Sequence, residues 1–191
     1  MRTRLILAAI AAVVLMVWLI RGAGFTSRRS PWPLEARASL AVRRFLIPVR
    51  ARGVANPVEA SPDVVRAGME HFADHCASCH ANDGSGDTSL GRSLFPRAPD
   101  MRGGRTQAMT DGELFYVIER GVPFTGMPAW GTGTPDGERS SWELVRFIRH
   151  LPQLSAAEAE QMESLNPKSA ADAKRKKDID DFLAGKGKSG G

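Results

Sequence analysis

Cys76-Ala77-Ser78-Cys79-His80 contains both cysteines of this 191-residue chain, and a histidine directly follows the second one. Two thiols three positions apart on a helical turn can each form a thioether with one of the two vinyl groups on a haem edge. The histidine that follows then lies below the iron as an axial ligand. The spacing therefore predicts one covalently attached haem c per chain, with Cys76 and Cys79 as attachment points and His80 as an iron ligand.

Other roles for the cysteine pair fit the sequence less well. A thioredoxin-like site lies beside a βαβ pattern, and the segments after the motif show no strand-like alternation. A structural zinc site needs four ligands, and no second C-x-x-C or H-x-x-x-H completes such a set. A disulfide framework uses more cysteines and closes longer loops. The motif therefore favours haem attachment.

Residues 62–152 resemble the class I cytochrome c family in its small bacterial monohaem form. A helix predicted over 63–75 leads into the motif, and its Gly68 and Phe72 match the pair by which the first helix of that family crosses the last. The segment Ala81-Asn82-Asp83-Gly84-Ser85-Gly86 is similar to the Gly-rich loop after the proximal histidine of the family. The resemblance implies an all-α, class I cytochrome c fold of about four short helices around the haem.

The resemblance also implies a second axial iron ligand, for which Met127 is the candidate. The family places this ligand between its last two helices, predicted here over 111–120 and 142–151. A neutral thioether favours reduced iron, so ligation by histidine and methionine raises the reduction potential. Met101 and Met109, on the long loop after the motif, are the alternative ligands, and ordinary packing is the alternative role for Met127.

Two more residues complete the predicted haem site. In the resembled family a proline carbonyl accepts the second N–H of the proximal histidine, and Pro99 matches that proline. Trp130 is a candidate for packing on a haem edge, with an ordinary core or surface position as the alternative. Four arginines near the Pro99 loop are candidates for pairing haem propionates, for a docking patch or for a solvated face: Arg92, Arg97, Arg102 and Arg105.

The N-terminal region is first apolar and then basic. Residues 5–20 are uninterruptedly apolar and follow Arg2 and Arg4, a pattern that is typical of an export signal. Because no A-x-A cleavage pattern follows, we predict an uncleaved signal-anchor, a transmembrane helix, over residues 1–25. Haem c is attached outside the bacterial cytoplasm, so we expect the haem domain in the periplasm at the inner membrane. A cleaved, soluble periplasmic form is the alternative.

Three further regions follow the predicted anchor. Residues 26–60 are predicted as a basic juxtamembrane linker with a short amphipathic helix over 34–47. That helix could lie on anionic lipid headgroups, or pack on its own domain or on a partner subunit. Residues 61–153 are predicted as the haem domain, and residues 154–191 as a charged tail that is partly helical and partly disordered.

The net charge of +5 is unevenly distributed along the chain. Residues 1–58 hold ten Arg and one Glu, whereas residues 59–153 hold nine Arg and thirteen acidic residues. The basic charge therefore belongs to the arm beside the predicted anchor, where it suits a membrane surface. A nucleic-acid-binding domain needs a basic face of its own, so no nucleic-acid partner is predicted.

The predicted function is that of a membrane-tethered single-electron carrier with His80 and Met127 as iron ligands. Its predicted partners are donor and acceptor redox complexes, and no small-molecule substrate is expected. The chain is not predicted to be an enzyme itself. One alternative is a cytochrome subunit of a larger oxidase or dehydrogenase. A haem peroxidase or a gas sensor is a further alternative, and it would need an open or labile iron position in place of the Met127 bond.

Overall fold

Helices and loops make up the whole of the part that the computed structural model describes, which is residues 2–23, 32–167 and 179. No strand occurs in these ranges, so the predicted all-α class is confirmed. The helices follow one another as α1 (Arg2–Ala23), α2 (Pro33–Leu46), α3 (Val49–Arg52), α4 (Pro62–His71), α5 (Ala77–His80), α6 (Ser89–Ser93), α7 (Gly104–Gln107), α8 (Asp111–Arg120), α9 (Pro135–His150) and α10 (Ala156–Leu165). A π-helical turn, Phe72–Cys76, joins α4 to α5, and a 3-10 turn, Leu151–Gln153, follows α9.

The helix α1 is long and apolar enough over Thr3–Gly22 to cross a membrane, and none of this stretch is buried. This agrees with the predicted anchor, although a signal sequence near the N-terminus passes the same test. The helix α2 forms where the amphipathic helix was predicted. Its apolar side chains Leu34, Val42 and Phe45 are exposed, which argues against their packing on the rest of the described protein.

The centre of the fold is the crossing of α4 with α9. The helix α4 begins with Ser61 as its N-cap and Pro62 in its first turn, as the sequence predicts. At the crossing, a Cβ atom on Gly68 would lie 2.2 Å from the carbonyl oxygen of Glu143 and 2.9 Å from the Cβ of Phe147. Only glycine therefore allows this approach, and the ring of Phe72 packs beside it, 5.2 Å from that of Phe147.

Two predicted helices differ from the structure at their ends. The helix predicted over 63–75 is α4, and it ends at His71. The chain then widens into the π-helical turn that contains Cys76. The last helix of the predicted domain begins at Pro135, seven residues before the predicted start. Thr134 is its N-cap and accepts a hydrogen bond from the N–H of Gly137. The predicted helix 111–120 is confirmed, with its Thr110–Glu113 capping box.

Residues 47–58, which we call the strap, lie against α8 and α9. Ile47 and Val58 are buried, and the Arg146 guanidinium of α9 donates to the Val58 carbonyl at 2.7 and 2.9 Å. Arg52 forms an ion pair with the buried Glu113 carboxylate of α8 at 3.1 Å. The strap falls inside the predicted linker 26–60, yet its contacts continue those of the core.

The helix α10 also belongs to this core. Its Met162 side chain is fully buried, and its N-terminus carries a Ser155–Glu158 capping box, a pattern that is already visible in the sequence. Glu158 also reaches back to the His150 ring of α9 at 2.8 Å. The predicted tail is therefore helical and packed as far as Leu165. Residues 168–178 and 180–191 of that tail lie outside the described residues.

Candidate haem-binding site

The two cysteines lie at the junction between the π-helical turn and α5. Cys76 ends the π-helical turn, and Cys79 lies one helical turn later on α5. Burial, with a smaller effect of the neighbouring Cys79, raises the pKa of the Cys76 thiol to about 12. A thiol that attacks disulfides needs a lowered pKa, so this environment disfavours a thioredoxin-like role. Two partly buried thiols on one helical turn suit thioether formation.

His80 ends α5, and its ring is largely withdrawn from solvent. Burial lowers the pKa of His80, and the nearby backbone carbonyl of Pro99 opposes that lowering. Its Nδ1 atom is nevertheless buried without a hydrogen bond of normal geometry to any described residue. A neutral imidazole is the form that binds a metal. The structure thus brings Pro99 close to His80, without completing the predicted hydrogen bond.

Two loops close around the His80 end of α5. The N–H of Gly86 donates to the His80 carbonyl at 2.8 Å, and the N–H of Met101 donates to the Gly84 carbonyl at 2.8 Å. A Cβ atom on Gly86, whose φ is +74°, would lie 2.5 Å from the carbonyl oxygen of Ala98. The Gly-rich loop and the Pro99 loop are therefore packed directly against each other.

Sequence reasoning missed α6, which supports the motif from outside. The Thr88 hydroxyl donates to the Ser78 carbonyl at 2.8 Å and accepts from the Gly91 N–H at 2.8 Å. A Cβ atom on Gly91 would lie 2.2 Å from the Cys79 carbonyl oxygen, so glycine is required for this packing. The available signal was Thr88 as an N-cap before a short helix.

Met127 lies on the loop between α8 and α9 and is half-buried. Its carbonyl accepts from the Val122 N–H at 3.0 Å, and its own N–H donates to the Thr125 hydroxyl at 3.1 Å. The loop is therefore fixed by its own hydrogen bonds. The two alternative ligands lie elsewhere: Met101 is buried in the hydrophobic core and Met109 packs against it.

The backbone N–H of Trp130 donates a hydrogen bond to the Ile118 carbonyl at 3.0 Å. Its ring packs against the core and meets the His75 ring edge-on, with the centroids 5.4 Å apart. His75 lies in the π-helical turn directly before Cys76. The structure thus places Trp130 beside the attachment segment, while its packing on a haem edge stays a prediction.

The arginines near the Pro99 loop take different partners. Arg92 pairs with Asp87 at the start of α6, and Arg102 pairs with Asp83 at 2.7 Å and with Asp100 at 3.0 Å. Hydrogen bonds from Arg102 hold the pKa of Asp100 below its ordinary value. The guanidinium of Arg102 is therefore already paired with two carboxylates and does not need a haem propionate as a partner.

The donor set of the site fits a haem better than a bare metal ion. Across residues 2–23, 32–167 and 179, no group of three His, Cys, Asp or Glu side chains could hold an ion. The motif offers two thiols and one buried imidazole, whose unpartnered Nδ1 still requires an acceptor. This combination suits a macrocycle that brings its own four nitrogen ligands and is fixed covalently.

Comparison with known proteins agrees with this site. Residues 63–148, just under half of the chain, match the family model described as cytochrome c oxidase, cbb3-type, subunit III. The chain is similar to the Cbb3-type cytochrome c oxidase subunit FixP of Rhizobium meliloti (strain 1021), with 33% identity over 93 residues. It is also similar to FixP of Sinorhizobium medicae (strain WSM419), with 31% identity over 93 residues.

Each of these matches covers 48% of this chain and 29% of the relative, so the chain spans less than a third of the relatives' length. The region matched by the family model, residues 63–148, covers nearly all of α4 to α9 and includes the C-x-x-C-H motif. The matches, the motif and the helical fold agree on one assignment. The region over residues 63–148 is similar to a c-type cytochrome domain, as the motif and the helical fold also indicate.

Proposed function

We propose that the chain is a membrane-anchored single-electron carrier that holds one haem c. Cys76 and Cys79 would form the two thioethers, and His80 and Met127 would be the axial ligands. The observation that carries the proposal is the His80 ring directly after the second thiol on α5, with its Nδ1 atom buried and without a hydrogen-bond partner. A lowered pKa keeps that imidazole in its neutral, ligating form.

When bound, haem c supplies an iron that cycles between its ferrous and ferric states. The chain then sets the reduction potential and limits access to the iron. His80 would donate electron density to the iron, and a Met127 thioether would favour the reduced state. The buried core around Phe72 and Met101 keeps water from one side of the site. No side chain is required to act as an acid or base.

Met127 is preferred to the other loop methionines because of where each side chain is packed. Met101 is 8% exposed within the core cluster, so its sulfur already has apolar partners. Met109 packs against the same cluster. Met127 lies on a loop that its own hydrogen bonds fix, and its half-exposed side chain is absent from the core cluster.

The ligand proposal is tested by the absorption spectrum of the oxidised, haem-loaded full-length chain in mild detergent. We expect the weak near-infrared band of an iron–methionine bond in the wild type, its loss in Met127→Ala and its retention in Met109→Ala. Survival of the band in Met127→Ala would show that Met127 is not the ligand. The mass of the intact chain tests the covalent attachment. The wild type should carry the added mass of one haem, and a smaller fraction of the chains should carry it in Cys76→Ala, which has lost one thioether.

We further propose that α1 anchors the protein in the inner membrane with the haem domain in the periplasm. The exposed apolar helix α1 and the basic arm after it support a membrane association. The predicted test is protease treatment of intact spheroplasts, which should cleave the haem domain without lysis. Protection of the domain until lysis would reverse the proposed orientation.

A second candidate, a cytochrome subunit of an oxidase complex, is favoured by the matches to a cbb3-type subunit III and to FixP. The same haem site would serve that role, so the site cannot separate the two candidates. Purification of the full-length chain in mild detergent separates them. Co-purification with a stoichiometric oxidase would support the subunit role, whereas a chain that elutes alone would support the free carrier.

A further inference from the structure

Three charged side chains, Asp83, Asp100 and Arg102, form a cluster that we call the Arg102 clamp. Arg102 donates to both oxygens of the Asp100 carboxylate, from Nε at 3.0 Å and from a terminal nitrogen at 3.0 Å. Its other terminal nitrogen donates to Asp83 at 2.7 Å. This forked pairing fixes the guanidinium in one orientation. The side chain is 40% exposed, so the clamp lies at the surface.

The clamp joins the two loops that flank the proximal imidazole. Asp83 lies in the Gly-rich loop three residues after His80, and Asp100 directly follows Pro99. Asp83 is itself held within its loop, because it accepts a hydrogen bond from the Ser85 N–H at 2.9 Å. An ion pair between loops that are otherwise joined mainly through backbone contacts restrains how far apart they can move.

The atom most sensitive to that restraint is the Pro99 carbonyl oxygen. A Cβ atom on Gly86 would lie 3.0 Å from it, so the Gly-rich loop lies directly beside it. The same carbonyl acts on the His80 ring, although no hydrogen bond of normal geometry reaches Nδ1. Whether this bond forms therefore depends on how closely the Pro99 loop is held against the Gly-rich loop.

We propose that Arg102 is a positioning residue, which closes the Pro99 loop on the Gly-rich loop and so holds the Pro99 carbonyl against the His80 imidazole. This inference rests on the proposed role of His80 as an iron ligand. A carbonyl that accepts from the second nitrogen of a ligating histidine raises its basicity, and this stabilises the oxidised metal. Opening the clamp therefore favours the reduced state and exposes the Nδ1 proton to solvent.

The decisive variant is Arg102→Lys in the haem-loaded full-length chain, because lysine keeps the charge and loses the fork. We expect the ratio of reduced to oxidised protein at a fixed applied potential to rise about threefold, as for the loss of part of one hydrogen bond. We also expect faster solvent exchange of the His80 Nδ1 proton, measured by NMR on the reduced protein. Arg92→Lys is the control, since Arg92 pairs with Asp87 outside the clamp, and both quantities should stay at wild-type values.

Unchanged potential and proton exchange in Arg102→Lys would overturn the inference. A shift that appears only in Arg102→Gln would also overturn it, because charge alone would then explain the effect. If Arg102→Lys fails to fold, Asp83→Asn opens the bridge between the loops and leaves the Arg102–Asp100 fork intact. Faster Nδ1 proton exchange is then expected, and wild-type exchange would refute the role. Absence of the iron–methionine band in the wild type would instead count against the proposed ligand set.

Discussion

Gly68→Ala tests whether the crossing of α4 and α9 is as close as the structure shows. The added methyl group would lie 2.2 Å from the Glu143 carbonyl oxygen and 2.9 Å from the Phe147 Cβ. Ordinary contact begins near 3.4 Å. The obstructing oxygen belongs to the backbone of a helix and cannot rotate away, so the two helices would have to separate by about 1 Å.

The net effect combines two opposing terms. Alanine is the better helix former and stabilises α4 by about 1 kcal/mol relative to glycine. Overpacking a well-packed interface costs about 1–3 kcal/mol, and a rigid backbone neighbour favours the upper end of that range. We therefore expect Gly68→Ala to lower the free energy of unfolding by about 1–2 kcal/mol and the melting temperature by about 4–16 °C.

The assay is thermal unfolding of the full-length, haem-loaded chain in detergent, followed by circular dichroism. Gly104→Ala is the matched control, because glycine 104 is also helical and a Cβ atom there meets nothing within 4 Å. The control should be neutral or slightly stabilised. If Gly68→Ala melts at or above the wild-type temperature, the helices are farther apart than described and the reasoning is refuted.

Three further outcomes are expected from the same unfolding assay. Phe124 is fully exposed at a φ of +61°, so Phe124→Gly should relieve backbone strain and raise stability by about 0.5–1 kcal/mol, and a loss would contradict this. Met162→Ala should cost about 2–5 kcal/mol because the side chain is fully buried, whereas the exposed neighbour Gln161→Ala should change little. Hydrogen bonds from Ser155 hold the pKa of Glu158 below 4.5. The contribution of its carboxylate to stability is therefore complete above that pH, and it is lost as the pH falls through the lower pKa of the folded state. Glu158→Gln should therefore flatten the acid dependence of the melting temperature below about pH 4.5, and an unchanged slope would count against this contribution.

The predictable parts of the fold are those with local sequence signals. The capping box Thr110–Glu113 fixed the start of α8, and Gly121, with a φ of +65°, marks its end. Ser155 and Glu158 gave the start of α10 in the same way. In each case the deciding hydrogen bonds join residues within one helical turn, so the sequence pattern contains all the partners.

The contacts of the strap and of the Arg102 clamp were missed because they join residues that are distant in the sequence. The bond from Arg146 to the Val58 carbonyl joins residues 88 positions apart, and no local pattern marks it. The early start of α9 is a different case, because it had a local signal in Thr134 before Pro135. The predicted start at residue 142 followed the apolar periodicity, which begins later in the helix. At the site, the motif alone predicts His80, whereas the pairing of Arg102 with Asp83 required the folded loops.

The strap shortens the free chain that joins α1 to the haem domain, and so limits the distance between the two. A free linker through residue 60 would leave the domain tethered at residue 61, but the strap already packs on the core from Ile47. Removing 14 residues from the free tether shortens its greatest extension by about 45 Å, at roughly 3.3 Å per residue. If α1 is the membrane anchor, a domain on so short a tether stays within a thin layer next to the membrane surface. Its local concentration there is correspondingly high, so electron exchange would be fastest with partners whose redox centres lie close to the same membrane surface.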